Sequence, residues 1–151
     1  MKVYLDVSCL NRPFDDQSQV RIRLEAEAVA LILERCEQGE WTQVSSGIAE
    51  IEIRAIPDID RQARVQLLLP DKKDILKLTQ AIWARAVALE KLGFKAADAL
   101  HVSAAEELNV DVLLTCDDRL CRRGLRCRRL LSVRIANPLD WLKETGHAAN
   151  P

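Results

Sequence analysis

The chain predicts an α/β fold, a three-layer α/β/α sandwich whose central sheet is mainly parallel, and three observations carry that expectation. Short apolar runs alternate with segments of three- and four-residue periodicity along the whole sequence. Such alternation builds right-handed crossovers, which bring successive strands parallel and cover both faces of the sheet. The length of 151 residues, with 48% hydrophobic and 30% charged, suits one globular domain spanning 1–151 with a core that needs no staples.

Taken in order, Lys2 to Leu5 reads as a short buried strand that ends at Asp6. Pro13 and Asp15-Asp16 then break the pattern before a long helix from about Ser18 to Glu37. Val20, Leu24 and Leu31, with Val29, Leu33 and Cys36, recur there at helical spacing, and Gly39 stops it. Trp41 to Ser45 reads as a second strand, Ser46 as an N-cap, and a short helix runs through Glu52 until Pro57 ends it. Residues 58 to 70 form another short helix closed by Pro70, and Leu78 to Leu92 a longer one stopped at Gly93. These two are expected to pair as a hairpin. Ala96 to Leu108 is an alanine-rich helix, and Val110 to Thr115 is the clearest buried strand. Leu130 to Ile135 is read as a last strand, and Asn137-Pro138 opens a terminal helix as an N-cap with a first-turn proline. There are no internal repeats and no linker.

Composition excludes several classes of protein. Five cysteines (Cys9, Cys36, Cys116, Cys121, Cys127) without a C-x-x-C pair indicate neither a disulfide framework nor an ordinary zinc site. The first apolar run is far too short for a signal-peptide core or a membrane span, so a cytoplasmic protein with reduced thiols and no membrane partner is expected. Charge is unevenly spread: residues 1–118 carry 14 basic and 21 acidic side chains, residues 119–151 carry 8 and 2. Arg119, Arg122, Arg123, Arg126, Arg128 and Arg129 supply most of the positive end, which could steer a polyanion or serve as a solvated loop or dimer contact.

Four acids, far apart in the chain, stand where such a sheet could gather them. Asp6 and Asp117 end two strands, Asp98 lies near the start of a helix, and Glu52 projects from the helix after the second strand. Ligands of parallel sheets collect at the carboxyl ends of the strands. Crowded carboxylates repel one another, and a cleft that collects them usually holds Mg²⁺ or Mn²⁺. Taken singly, each acid has an ordinary explanation: a strand end, a solvated helix residue, or a helix N-terminal turn or cap. Asp98 is the most telling, because its neighbours Ala96, Ala97, Ala99 and Leu100 mark a helix that should be buried.

These residues resemble the PIN-domain nucleases. Asp6-Val7-Ser8 is similar to their D-x-S opening, and Ser46 with Glu52 to their helical glutamate motif. Ala97-Asp98-Ala99-Leu100-His101 is similar to their D-A-L-H helix, Thr115-Cys116-Asp117 to their T-x-D strand end, and Asn137-Pro138-Leu139 to the segment that often closes the domain. The resemblance implies a metal-dependent endoribonuclease in which Asp6, Glu52, Asp98 and Asp117 are the catalytic acids and hold one or two Mg²⁺ or Mn²⁺ ions. It also implies RNA as substrate and a setting like that of VapC-type toxins, with an antitoxin partner and a homodimer. Asp6 would anchor the principal ion, Asp98 and Asp117 complete its shell, and Glu52 orient a second ion or the attacking water. Where the family often carries another acid two positions after the last aspartate, this chain has Arg119. The competing reading is a PIN-like scaffold, weak or inactive as a catalyst, that binds RNA or a partner protein.

Other assignments follow. Ser8 is a candidate to hydrogen-bond a carboxylate or phosphate, and Arg119, Arg122 and Arg123 are candidates to contact substrate. A shift of register would exchange Glu52 for Glu50, or Asp117 for Asp118. His101, one turn after Asp98, is expected to be a packed helix histidine, with a contact to metal-bound water or phosphate as the alternative. Trp41, Trp83 and Trp141 are too scattered for a base-stacking platform and go to the core or an interface.

Overall fold

The computed structural model describes residues 1–149, the last three by backbone alone; Asn150 and Pro151, the end of the expected domain, lie outside the described residues. Five strands, β1 Lys2–Leu5, β2 Thr42–Ser46, β3 Ile75–Leu76, β4 Val112–Leu114 and β5 Ile135–Ala136, pair in parallel in the order β3-β2-β1-β4-β5. The helices are α1 Val7–Asn11, α2 Val20–Glu37, α3 Gly47–Arg54, α4 Ile59–Gln66, α5 Gln80–Lys91, α6 Ala96–Glu107, α7 Asp118–Arg126 and α8 Pro138–Ala149.

Side-chain alternation in the central strands sorts the core into two halves. Val3 and Leu5 of β1, with Val112 and Leu114 of β4, pack against Leu10 of α1, Val29 and Ile32 of α2, Val65 of α4 and Trp141 of α8. Tyr4 and Leu113 point the other way, into Ile82, Ala86 and Leu89 of α5, Leu100 and Ala104 of α6, and Leu120 of α7. The sheet is therefore covered on both faces, which is why β1 and β4 read as continuous apolar runs. Truncating a fully buried leucine such as Leu113 or Leu114 to alanine would cost about 2–5 kcal/mol. Trp41 and Trp141 pack edge to face with centroids 4.9 Å apart, whereas Trp83 is half exposed on α5.

Several expectations need correction. The expected hairpin of residues 58–70 and 78–92 does not form, because α4 packs under one sheet face and α5 under the other, with β3 between them in the chain. The partner of α5 is α6. The expected strand from Leu130 to Ile135 is reduced to Ile135–Ala136, and Leu130 itself is exposed. The arginine-rich segment is helical as α7: Asp117 caps its N-terminus, Asp118 lies in its first turn, and Arg123 and Arg126 lie in its last turn, matching the helix dipole at both ends. Ser46 occupies the N-cap position of α3 but makes no capping hydrogen bond; its hydroxyl faces Tyr4 instead. Asn137 does cap α8, accepting from the Leu139 N–H at 2.8 Å. Among the described residues no helix is long and apolar enough to cross a membrane.

The strand order creates the crevice. From β1 the chain proceeds outward through β2 and β3, then crosses back to lay β4 on the opposite side of β1, so connections leave these two central strands in opposite directions. At such a switch point the carboxyl ends of the strands open into a cleft instead of being bridged by one connection.

Candidate active site

Asp6 leaves β1 at that cleft. Its N–H donates to Leu114 O at 3.0 Å, which joins the ends of β1 and β4, and its side chain caps α1. Oδ1 of Asp6 accepts from the Cys9 N–H at 3.1 Å and from the Ser8 hydroxyl at 2.5 Å. Ser8 Oγ in turn accepts the Cys116 N–H at 3.0 Å, so one hydroxyl links the Asp6 carboxylate to the strand end that carries Asp117. Thr115 Oγ1 accepts the Asp117 N–H at 3.1 Å and completes this tie. The sequence reading offered Ser8 as a partner for a carboxylate or phosphate and named Thr115 only as part of the strand-end motif, whereas the Thr115 hydroxyl also stands 3.3 Å from Ser8 Oγ. Asp6 is only 5% exposed and has no ion-pair partner among the described residues. Burial raises its carboxyl above the ordinary range, opposed by the charge of His101 and the Ser8 hydrogen bond.

Asp98 lies in the first turn of α6. Its carboxyl is pushed up to about 6, first by burial and then by the negative charges of Asp6 and Asp117, with Glu52 adding to them and His101 opposing. The four acids thus share one electrostatic environment around Asp98. Among the described residues, however, no three His, Cys, Asp or Glu side chains already stand close enough together to form a ligand cage.

The rival assignments separate. Asp118 is exposed and paired to Arg21 of α2, whose Nη1 lies 2.9 Å from Oδ2, and this bond holds its carboxyl below the usual range. Asp117, by contrast, is the acid that Asp98 senses, although its Oδ1 also caps α7 by accepting the Arg119 N–H at 2.9 Å. The ordinary explanation for Asp117 therefore holds together with its place in the crevice. Glu52 accepts a short hydrogen bond from His101 Nε2, whereas Glu50 is absent from the charges acting on Asp98.

His101 is buried as expected, yet it does more than pack. Its Nδ1 is 2.7 Å from the Tyr4 hydroxyl, which is also 2.7 Å from Ser46 Oγ. Burial drives the Tyr4 hydroxyl upward, so it stays a phenol. The chain Ser46, Tyr4, His101, Glu52 joins two strands' ends to α6 and α3, fixing the imidazole through one nitrogen so that the other addresses Glu52. Sequence reading missed Tyr4, which lies two residues before Asp6 and points to the opposite sheet face from Leu5. The only available signal was that His101 falls one turn from Asp98.

The donor set fits a hard divalent cation: it consists of carboxylate oxygens, and the deepest of them, Asp6, has no ion-pair partner among the described residues. The PIN domain family model matches residues 3–125, and the chain belongs to that family. PIN domains are generally nucleases, and they typically use divalent metals. Two solved structures share the fold. One is VapBC2 from Rickettsia felis bound to a DNA fragment from their promoter, 16% identical, with 91% of this chain and 98% of that one covered at a TM-score of 0.58. The other is VapBC-1 from nontypeable Haemophilus influenzae, 18% identical with the same coverage and a TM-score of 0.54. Among curated proteins the chain has no sequence match.

Proposed function

We propose that this chain is a divalent-metal-dependent endoribonuclease of the VapC type, a single PIN domain that serves as the toxin of a toxin-antitoxin pair. The observation that carries the reading is the raised Asp98 carboxyl, which feels Asp6, Asp117 and Glu52 at the switch point, with Asp6 in no ion pair among the described residues. Asp6, Asp98 and Asp117 would hold Mg²⁺ or Mn²⁺, with Glu52 at the margin. Bound there, the ion would activate a water and neutralise charge on the scissile phosphate and its leaving oxygen. The chain's own contribution is positional. Ser8 and the Cys9 N–H aim Asp6, and His101 holds Glu52. Arg119, Arg122 and Arg123, on the helix that Asp117 caps, attract the RNA backbone. The PIN family match supports nuclease chemistry, and the VapBC complexes among the structural neighbours support an antitoxin partner. In a homodimer the exposed Trp83 and Val87 on α5 offer contact surface.

The test is cleavage of single-stranded RNA by the purified chain with Mn²⁺, with Mg²⁺ and with chelator, beside Asp6→Asn at equal folded concentration. Metal-dependent scission lost in Asp6→Asn supports the reading. RNA binding indifferent to chelator, without scission under any of these conditions, overturns it in favour of the inactive scaffold.

A further inference from the structure

Beside the acids lies a small cavity of about 80 Å³, between the turn joining α5 to α6 and the flank of α7. Lys95, Arg119, Arg122, Arg123 and Arg126 line it, and Asp98 forms a shared wall with the acid cluster. The four arginines follow at spacings of three, four and seven residues, which puts them on one stripe of α7. Leu120 and Gly124, on the neighbouring stripe, are buried and hold the helix to the protein. None of the five cations forms an ion pair among the described residues.

Gly93 explains how one of them is held. Its φ of 100° is a conformation that side chains rarely adopt, and a Cβ there would stand 2.7 Å from Arg123 Cζ and 3.0 Å from both terminal nitrogens. The guanidinium therefore lies face-on against the backbone of the turn, in space that only glycine leaves open. An unpaired cation cluster that is concave and partly preorganised suits a phosphate group.

We propose that this cavity is a subsite for one internal phosphate of a single RNA strand, adjacent to the phosphate that is cut, so that the strand is gripped by charge and not by base identity. The inference rests on the ribonuclease reading and names where its substrate is held. Asp98 repels a phosphate at the shared wall, which sets the bound group toward α7 and leaves the acids to the neighbouring position.

The experiment uses the full chain and short RNAs with unphosphorylated ends, each carrying one neutral methylphosphonate at a successive position. Binding is read by fluorescence anisotropy in EDTA and cleavage separately in Mn²⁺. One position should weaken binding of the wild-type chain about tenfold. The same substitution should cost nothing further in the R122Q/R123Q double variant, whose binding should depend on salt with a slope shallower by about 0.7. Gly93→Ala, checked by thermal denaturation for retained fold, should reproduce part of the loss by displacing Arg123. A penalty unchanged in the double variant, or no distinguished position, overturns the subsite. So does binding that tightens only when a 5′-phosphate is added, since the ligand would then be a terminal monoester. Position-specific binding without Mn²⁺-dependent cleavage would sink the ribonuclease reading and leave the subsite standing; cleavage without position dependence would do the reverse.

Discussion

Asp6 and Glu25 are both nearly inaccessible carboxylates, and the protein treats them in opposite ways. Glu25, 1% exposed on α2, is met by Arg12 at 3.2 Å, by Arg21 at 3.8 Å and by the Asn137 side-chain amide. It ties α2 to the short helical turn after α1 and to the start of α8, and its charge is matched within the chain. Asp6, buried almost as deeply, receives a hydroxyl and an N–H but forms no ion pair among the described residues, and its charge is one of those that raise Asp98. Burying a carboxylate without an ion-pair partner is costly, and the Asp6 carboxyl is raised accordingly. The difference separates a carboxylate matched inside the fold from one that the proposed nuclease reading assigns to metal binding.

The comparison breaks most severely if Asp6 proves dispensable. Asp6→Asn should reduce metal-dependent RNA cleavage by more than the ~100-fold upper range seen for outer-shell partners, without lowering Tm in chelator. Glu25→Ala should do the converse: a loss of about 2 kcal/mol in urea denaturation, because the Asn137 amide loses its acceptor while Arg12 and Arg21 keep Asp15 and Asp118, with cleavage per folded molecule unchanged. His101→Gln sharpens the contrast from the side. It should lower kcat roughly 10- to 100-fold by releasing Glu52, with RNA affinity in EDTA unaltered.

A pH series weighs the cost of the acid cluster directly. The folded Asp98 carboxyl at about 6 lies above its ordinary value of 3.8, so the folded state holds its proton longer than the unfolded chain does. Stability from this group is therefore greatest at low pH and falls as pH rises from about 4 to about 6. Calorimetry in chelator should show that Asp98→Asn raises Tm at pH 7.5 by a few degrees and has a smaller effect at pH 4. Added Mn²⁺ should stabilise the wild-type chain more at pH 7.5 than at pH 4. The smallest effect belongs to Asp118→Asn: the Arg21–Asp118 pair is exposed, so stability should drop by less than ~1 kcal/mol and cleavage should persist, which would mark Asp118 as a bystander.

How much of this was legible follows from what sequence patterns encode. β1 and β4 announced themselves because both faces of a central parallel strand are buried, and α2, α5 and α6 because each carries an apolar stripe with a clear stop. β3 has two residues and β5 has two, too few for any period to register. The arginine-rich segment hid a helix because its charge dominated its composition, although Asp117 and the basic last turn were the signals for one. At the site, the ordered acids could be named from the chain alone. The Ser46, Tyr4 and His101 connection could not, since it joins residues 42 and 97 positions apart through side chains that look like core.

Gly124 gives the basic helix its mechanical setting. A Cβ at that position would come 2.8 Å from Ile135 Cδ1 and 2.9 Å from its Cβ, so α7 rests directly on the strand at the sheet's edge with no slack between them. Four guanidinium groups ride on that seat and share its fate. One methyl group at residue 124 would act as a shim, lifting the helix from the sheet edge and changing the alignment of the whole row with the acids, without altering a single charge.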